Sequence, residues 1–395
     1  MKQVTVRPSL QSIRMSIVKR RNAMAALLLM AGWFLIGWAA RGIFQPLEDE
    51  EAALLRQAAQ VIAHESNREL PSPRELTYAG IRGMLSSIGD KYAVFYEPSA
   101  AVRDGEATAG DDAVTGLSGE MRDGVYVALR LTPDGPAARA GLQAGDVIVE
   151  IDGWQVKRHS TPQEVVSMIR GPVGSTAHFV VRRGGDLLRL DVPRQPAQDV
   201  ITQTLGSDIA YLRLDRFTGQ TPGQVEEALK GLLAAGPEGL IWDLRYNGGG
   251  LMSATQQVLD FFLADGMAFY AEMKDGTLIP YPTRDGDMAE DIPLVVLIGP
   301  GTYSAPETVA ASIADRSRGL LIGETTHGKG TVNSTVSLFD GSMIRITVAE
   351  WLSPVHRESF EGRGVPPDIL VGSESTSSGD AVLEYAVDYL RRMQD

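Results

Sequence analysis

The sequence predicts a multidomain α/β protein, with a β-rich module set ahead of a layered α/β domain and helical segments in front of both. Three observations carry that prediction. From about residue 200, apolar runs of strand length alternate with helix-like segments, the pattern of an α/β layer. Residues 114–195 hold short apolar runs broken by Gly turns, the pattern of a compact β unit. Residues 23–40 are 18 consecutive residues without a charge, directly behind a basic lead.

The elements follow in order. Residues 1–22 form a basic segment with Lys2, Arg7, Arg14, Lys19, Arg20 and Arg21 and no acid. A lead at +6 in a chain of net charge −13 leaves −19 for the rest. The span 23–44 takes in the uncharged run, Arg41 with a side chain long enough to snorkel, and Gly42-Ile-Phe44, with Trp33 and Trp38 in its second half. Cations before the span and Glu48-Asp-Glu-Glu51 after it predict a single-pass anchor in the cell membrane, with the N-terminus cytoplasmic and the rest extracytoplasmic. A cleaved signal peptide is the competing reading, with Gly37-Trp-Ala39 as its small-x-small site. The helical region, 47–105, starts with Leu54, Leu55, Ala58, Val61 and Ile62 on one helix face. Pro71-Ser-Pro73 breaks that helix, and Ser72 with Glu75 starts a second over about 74–88. Residues 103–112, acidic and rich in Gly and Ala, read as a linker.

In the β unit, Val125–Leu131 and Val147–Ile151 read as strands. Pro136–Ala140 reads as a short helix, and Thr161 caps a helix with Pro162 at its first position. Ala177–Arg183 and Leu187–Val192 form a hairpin across Gly184-Gly185. In the layered domain, the strands are 209–214, 239–244, 293–298 and 319–323, and the helices 224–235, 253–263 and 304–314. A final helix over about 380–393 puts Val382, Leu383, Ala386 and Leu390 on one side.

Composition narrows the function. Apolar residues make up 44% and charged ones 22% of 395, normal for a globular chain. There is no cysteine, which excludes disulfides, thiolate metal sites and a cysteine nucleophile. The acidic balance argues against nucleic acid as a partner. His64, His159, His178, His327 and His356 show no zinc-binding spacing with each other or with acids, so neither metal nor organic cofactor is expected.

Ser304 follows the apolar run 293–299 and precedes a helix, so it sits at a strand-to-helix turn where backbone N–H groups are free. Such a serine is an N-cap or a nucleophile, and a nucleophile needs a base. Lys329 stands 25 residues on, in the Gly-flanked loop Gly328-Lys-Gly330. Burial would give its amine the neutral form a base requires. A phosphate loop is excluded because Gly330 stands where that motif needs Ser or Thr. His327 is a rival base. Gly248-Gly-Gly250, between a strand and a helix, suits either an anion site or a flexible connection.

Taken together, four segments resemble the carboxyl-terminal processing proteases, the tail-specific serine peptidases of family S41. They are Asp243-Leu-Arg-x-Asn-x-Gly-Gly, Ser304-Ala-Pro-Glu307, Gly323-Glu-x-Thr-x-Gly-Lys-Gly330 and Glu361-Gly-Arg-Gly-Val-Pro-Pro-Asp-Ile369. Gly83-Met-Leu-Ser-Ser-Ile-Gly-Asp-Lys-Tyr92 adds a fifth, and the likeness covers about 50–395. The resemblance implies a ClpP/crotonase-like protease core at 198–374, a PDZ domain at 110–195 and a C-terminal helix at 376–395. It implies Ser304 as nucleophile, Lys329 as general base and Asn333 orienting the lysine, with the amides of Gly250 and Ala305 as oxyanion hole. Thr115, Gly116, Leu117, Ser118 and Gly119 would form the PDZ loop that takes a substrate's C-terminal carboxylate. The expected partners are polypeptides with free C-termini, and the membrane through the N-terminal helix. Assembly with itself or with an adaptor is left open.

The chain departs from the family pattern at four places. Asn333 stands where Gln is usual, His327 where an aromatic is frequent, Pro306 where a serine is, and Ser118-Gly119 fill the second half of the carboxylate loop. Asn333 keeps open a second expectation, an inactive membrane-tethered PDZ scaffold.

Overall fold

The computed structural model describes residues 49–393, apart from 133, 159, 285–287 and 373–379. The expected anchor at 23–44 lies outside the described residues. Among the described residues, no helix is long and apolar enough to cross a membrane. The chain divides into two units, residues 1–77 and 78–395.

In the first unit, α1 (Asp49–Glu65) carries the expected apolar stripe, yet Leu54, Leu55, Val61 and Ile62 remain exposed. The division falls within α2 (Pro73–Ser87). Its start is the expected capping box: Ser72 N–H donates to Glu75 Oε2 at 2.9 Å and Glu75 N–H to Ser72 Oγ at 3.3 Å.

The second unit opens with β1 (Val94–Tyr96), α3 (Pro98–Ala109) and β2 (Asp112–Val114). Here the expected linker at 103–112 is corrected, because most of it is helix. Pro98 starts α3, and Gly110 ends it in the left-handed conformation at φ 91°. Ala100 and Ala107 are buried, and Arg103 donates to Met168 O and Arg170 O at 2.7 and 2.9 Å. Tertiary anchoring overrides a composition rich in Gly and acid.

The β module contains β3 (Leu117–Arg122), β4 (Val125–Leu131), α4 (Pro136–Arg139), β5 (Val147–Ile151), β6 (Trp154–Gln155), α5 (Pro162–Ile169), β7 (Gly171–Pro172), β8 (Thr176–Arg183), β9 (Asp186–Pro193) and β10 (Gln195–Pro196). Its main sheet runs β3-β4-β5-β8-β9, all antiparallel, with β3 at one edge. The strands entering and leaving the module, β2 and β10, pair with each other, and β7 pairs β2 on its other edge.

The layered domain adds β11 (Val200–Leu205), β12 (Ile209–Leu214), α6 (Thr221–Leu233), β13 (Gly239–Asp243), α7 (Met252–Leu259), β14 (Gly266–Met273), β15 (Leu278–Thr283), β16 (Leu294–Ile298), α8 (Ala305–Asp315), β17 (Leu320–Gly323), β18 (Thr331–Ser337), β19 (Met343–Leu352), β20 (Ile369–Leu370) and α9 (Ala381–Arg392). Helix α6 begins three residues earlier than its spacing predicts, and α7 ends four residues sooner. The central sheet runs β11-β12-β13-β16-β17-β20 and is parallel from β12 to β20. Alternation along its strands buries both faces. Leu212, Leu240, Trp242 and Val296 pack under α6, α7 and α8. Ile209, Ile241, Val295 and Ile322 pack under Val382, Ala386 and Leu390 of α9. A second sheet runs β1-β19-β14-β15, with β18 also on β19.

Candidate active site

Strands β13, β16 and β17 are adjacent and parallel, so the loops leaving their carboxyl ends are neighbours. Those loops hold Gly248–Gly250, Ser304 and Lys329. Sequence motifs 80 residues apart therefore meet at one end of the sheet.

The first loop is pinned by Asn247, which is buried. Its Nδ2 donates to Leu214 O at 3.0 Å and its Oδ1 accepts from Gly249 N–H at 2.9 Å. A Cβ on Gly249 would lie 2.9 Å from Tyr303 O and 3.2 Å from Ser304 Cβ, so the glycine lets this loop lie against the serine turn. Gly250 sits at φ 144°, and a Cβ there would lie 2.0 Å from Phe217 O. The Gly250 N–H donates no hydrogen bond among the described residues, and neither does Ala305 N–H at the first turn of α8.

Ser304 adopts φ 68° and ψ −115°, a conformation L-residues rarely hold without support. The support is Glu307, wholly buried one turn on, whose Oε2 accepts from Ser304 N–H at 2.7 Å. Glu307 N–H donates to the Ser304 carbonyl at 2.8 Å, and Ser304 Oγ donates to no acceptor among the described residues. The serine occupies the N-cap position with its hydroxyl uncommitted.

The same Glu307 holds the lysine loop. Oε2 also accepts from Lys329 N–H at 2.8 Å, and Oε1 accepts from Thr326 Oγ1 at 2.6 Å and Gly328 N–H at 2.5 Å. One carboxylate oxygen thus ties the backbones of Ser304 and Lys329. Trp351 Nε1 donates to Lys329 O at 2.9 Å, and Glu361 Oε2 accepts from Gly330 N–H at 2.7 Å. The Lys329 ammonium lies 4.6 Å from the Tyr92 ring centroid and 5.2 Å from that of Tyr303. It forms no hydrogen bond among the described residues, to Ser304 Oγ or to any other group. Burial first, then the positive charge of Arg345, lower its pKa to about 8, while Glu361, Asp90 and Glu307 pull the other way.

Asn333 donates from Nδ2 to Thr347 Oγ1 at 3.3 Å, and its Oδ1 is buried without a partner. His327 is exposed, with its ring edge-on to Tyr303 at 4.7 Å and no hydrogen bond to Ser304. Thr115, Gly116, Leu117, Ser118 and Gly119 lie in the β module. Only Thr115 and Gly116 are loop, because Leu117–Gly119 belong to β3, with a bulge between Ser118 and Gly119. That corrects the expected five-residue loop. Pairing with β4 draws its second half into the sheet, and a Cβ on Gly119 would lie 2.4 Å from Val127 O.

Residues 208–371 match the model of Peptidase family S41, and residues 127–183 match that of a PDZ domain. The Bartonella bacilliformis carboxy-terminal-processing protease is 31% identical over 312 residues, covering 76% of this chain and 71% of that protein. The Synechocystis carboxyl-terminal-processing protease is 31% identical over 333 residues, covering 80% and 77%. The chain belongs to the carboxyl-terminal processing proteases of family S41. The solved photosystem II D1 C-terminal processing protease is 31% identical, with a TM-score of 0.57 over 78% of this chain and 85% of that one. This S41 peptidase is a serine-type protease carrying a PDZ domain.

Glu307 stands in the Ser304-Ala-Pro-Glu307 segment, and its role as the shared acceptor is evident only in the fold. The Ser-x-x-Glu spacing of a capping box was the available signal. Tyr92, Tyr303, Arg345 and Thr347 carry no such signal, since no local pattern marks residues that converge on the lysine from two loops and a strand distant in the chain.

Proposed function

We propose that this chain is a membrane-anchored endopeptidase that cleaves exported or membrane proteins near their C-termini through a Ser304–Lys329 dyad. Neutral Lys329 accepts the Ser304 proton as Oγ attacks the scissile carbonyl, and the free N–H groups of Gly250 and Ala305 receive the oxyanion. The protonated lysine gives its proton to the leaving amine. After deprotonation, Lys329 activates the water that hydrolyses the acyl-enzyme. The Ser304–Lys329 hydrogen bond forms in the substrate complex, since apo catalytic contacts are commonly long. Asn333 orients the lysine amine.

The observation that carries this reading is Glu307, a single buried carboxylate holding both Ser304 and Lys329, beside a lysine lowered to about 8. His327 is disfavoured because its exposed ring turns onto Tyr303. The core is read as the ClpP/crotonase-like arrangement. The PDZ domain takes the substrate's C-terminal carboxylate at Thr115–Gly119 and pairs its backbone with β3, a reading supported by the open edge of that strand. The uncharged run at 23–40 supports the single-pass anchor, with the catalytic domain extracytoplasmic.

The test is cleavage of fluorescein-labelled casein by the full-length chain and by Ser304→Ala, Lys329→Ala and His327→Ala. The first two variants are expected to be inert and the third active. Activity in Lys329→Ala with none in His327→Ala overturns the dyad, and equal inertness of wild type and Ser304→Ala favours the scaffold. Protease protection of the C-terminus in inside-out and right-side-out vesicles checks the topology.

A further inference from the structure

Strand β19 is paired with β18 along one edge, from Met343 to Glu350. Its other edge is shared: β1 pairs residues 343–345 and β14 pairs 349–352. Residues 346–348 pair with neither strand. In that gap the Thr347 N–H donates to Asp90 Oδ2 at 2.8 Å, so a carboxylate stands in for the missing strand carbonyl. Asp90 Oδ1 accepts from Thr347 Oγ1 at 3.1 Å and from Tyr92 N–H at 2.9 Å.

These bonds have a direction. A carboxylate only accepts, so the Thr347 hydroxyl spends its one proton on Asp90. Toward Asn333 it can then only accept, which it does from Nδ2 at 3.3 Å. The amide is thereby fixed with Oδ1 as its free end, and that oxygen is buried and unpartnered. Four residues before it, Lys329 carries an ammonium that finds no acceptor among the described residues. Asp90 also fixes the backbone of Tyr92, whose ring centroid lies 4.6 Å from Lys329 Nζ.

We propose that Asp90 is a positioning residue for the proteolytic reaction, acting through Thr347 to present the Asn333 amide oxygen as acceptor for the Lys329 amine, and through Tyr92 to set the aromatic wall against it. This inference rests on the Ser304–Lys329 reading. The groups that face the lysine are Asp90, Tyr92, Tyr303, Glu307, Arg345 and Glu361, with Lys91 held by Glu361 at 2.9 Å. Removing the Asp90 charge takes away one of the anions that favour the ammonium, so the lysine loses its proton more readily.

The experiment is casein cleavage by the full-length chain from about pH 6 to pH 10, comparing wild type, Asp90→Asn, Thr347→Val, Thr347→Ser and Lys329→Ala. Asp90→Asn is expected to lower kcat by about 10- to 100-fold with KM unchanged, the cost of a misplaced catalytic group. Its acid limb moves to lower pH, a change that a merely structural role does not produce. Thr347→Val, which keeps the backbone N–H on Asp90, lowers kcat without moving the acid limb, and Thr347→Ser restores it. Wild-type kcat and pH profile in Asp90→Asn, with Lys329→Ala inert, overturn the proposal alone. Full activity in Lys329→Ala overturns the dyad and the proposal with it. Should Asp90→Asn show no cooperative melting, Thr347→Val decides, and wild-type kcat there is the contrary result.

Discussion

Replacing Lys329 with Met should make the protein more stable as it abolishes cleavage. The folded lysine holds its proton only up to about pH 8, against 10.5 for the ordinary side chain. At roughly 1.4 kcal/mol per pH unit, keeping that buried amine charged at neutral pH costs about 3 kcal/mol. Methionine fills similar space without the charge, but it loses two cation–π contacts worth about 0.5–1 kcal/mol each, which leaves a gain of about 1–2 kcal/mol. For a unit of this size the melting temperature rises by roughly 1.5–3 °C.

The pH dependence gives the sharper check. Between about 8 and 10.5 Lys329 binds more proton in the unfolded chain than in the folded one, so its own contribution to stability rises with pH across that window. Methionine has no proton to lose. The advantage of Lys329→Met is therefore largest below about pH 8 and fades as pH climbs to 10.5. Thermal unfolding of both proteins from about pH 6.5 to pH 10.5, compared as a difference, cancels the tyrosines and lysines they share. A variant that melts lower than wild type at neutral pH, or a difference that stays constant with pH, would refute the burial argument.

Four other outcomes follow from the same geometry. In wild type, kcat/KM should rise through about pH 8 as Lys329 becomes neutral, read from initial rates on casein. Arg345→Gln removes the cation that helps lower the lysine, so the acid limb should move to higher pH, and no movement would separate Arg345 from the site. Glu307→Gln leaves at least one oxygen's pair of donors facing an NH2 group, a loss of about 2–4 kcal/mol by denaturant unfolding, with activity lost although Ser304 and Lys329 remain. Gly250→Ala forces a Cβ onto Phe217 O and re-aims the Gly250 N–H, and kcat should fall by about 10²- to 10³-fold with Tyr78–Asp395 still folded by circular dichroism.

The parallel layer was legible because its strands, buried on both faces, read as continuous apolar runs such as Leu294–Ile298. The second sheet was harder to read. Thr331–Ser337 is polar and half-exposed, and it becomes a strand through pairing with β19 rather than through its own pattern. Helix α3 was hidden for a related reason. Its acids and Gly105 lower local propensity, and the contacts that hold it, Arg103 on Met168 O and Asp104 on Arg345, lie 65 and 241 residues away. At the site, Ser304, Lys329 and the glycine loop could be named from local context and resemblance, whereas the residues that hold them could not.

That difference has a physical basis. A nucleophile turn and a glycine loop need particular backbone conformations, and those leave marks in sequence as Gly, Pro and capping residues. A perturbed lysine needs neighbours, and neighbours arrive from any part of the chain. Tyr92, Tyr303 and Arg345 precede and follow Lys329 on three different segments, and Glu307 joins it to the serine across 22 residues. The strained Ser304 and the depressed Lys329 are each unfavourable in isolation. Glu307 offsets both with one set of hydrogen bonds, so the two costs are coupled: the turn that strains the serine is held by the same carboxylate that fixes the lysine loop. Loss of that carboxylate should therefore release both together, and a double variant, Glu307→Gln with Lys329→Met, should be less destabilised than the sum of its parts.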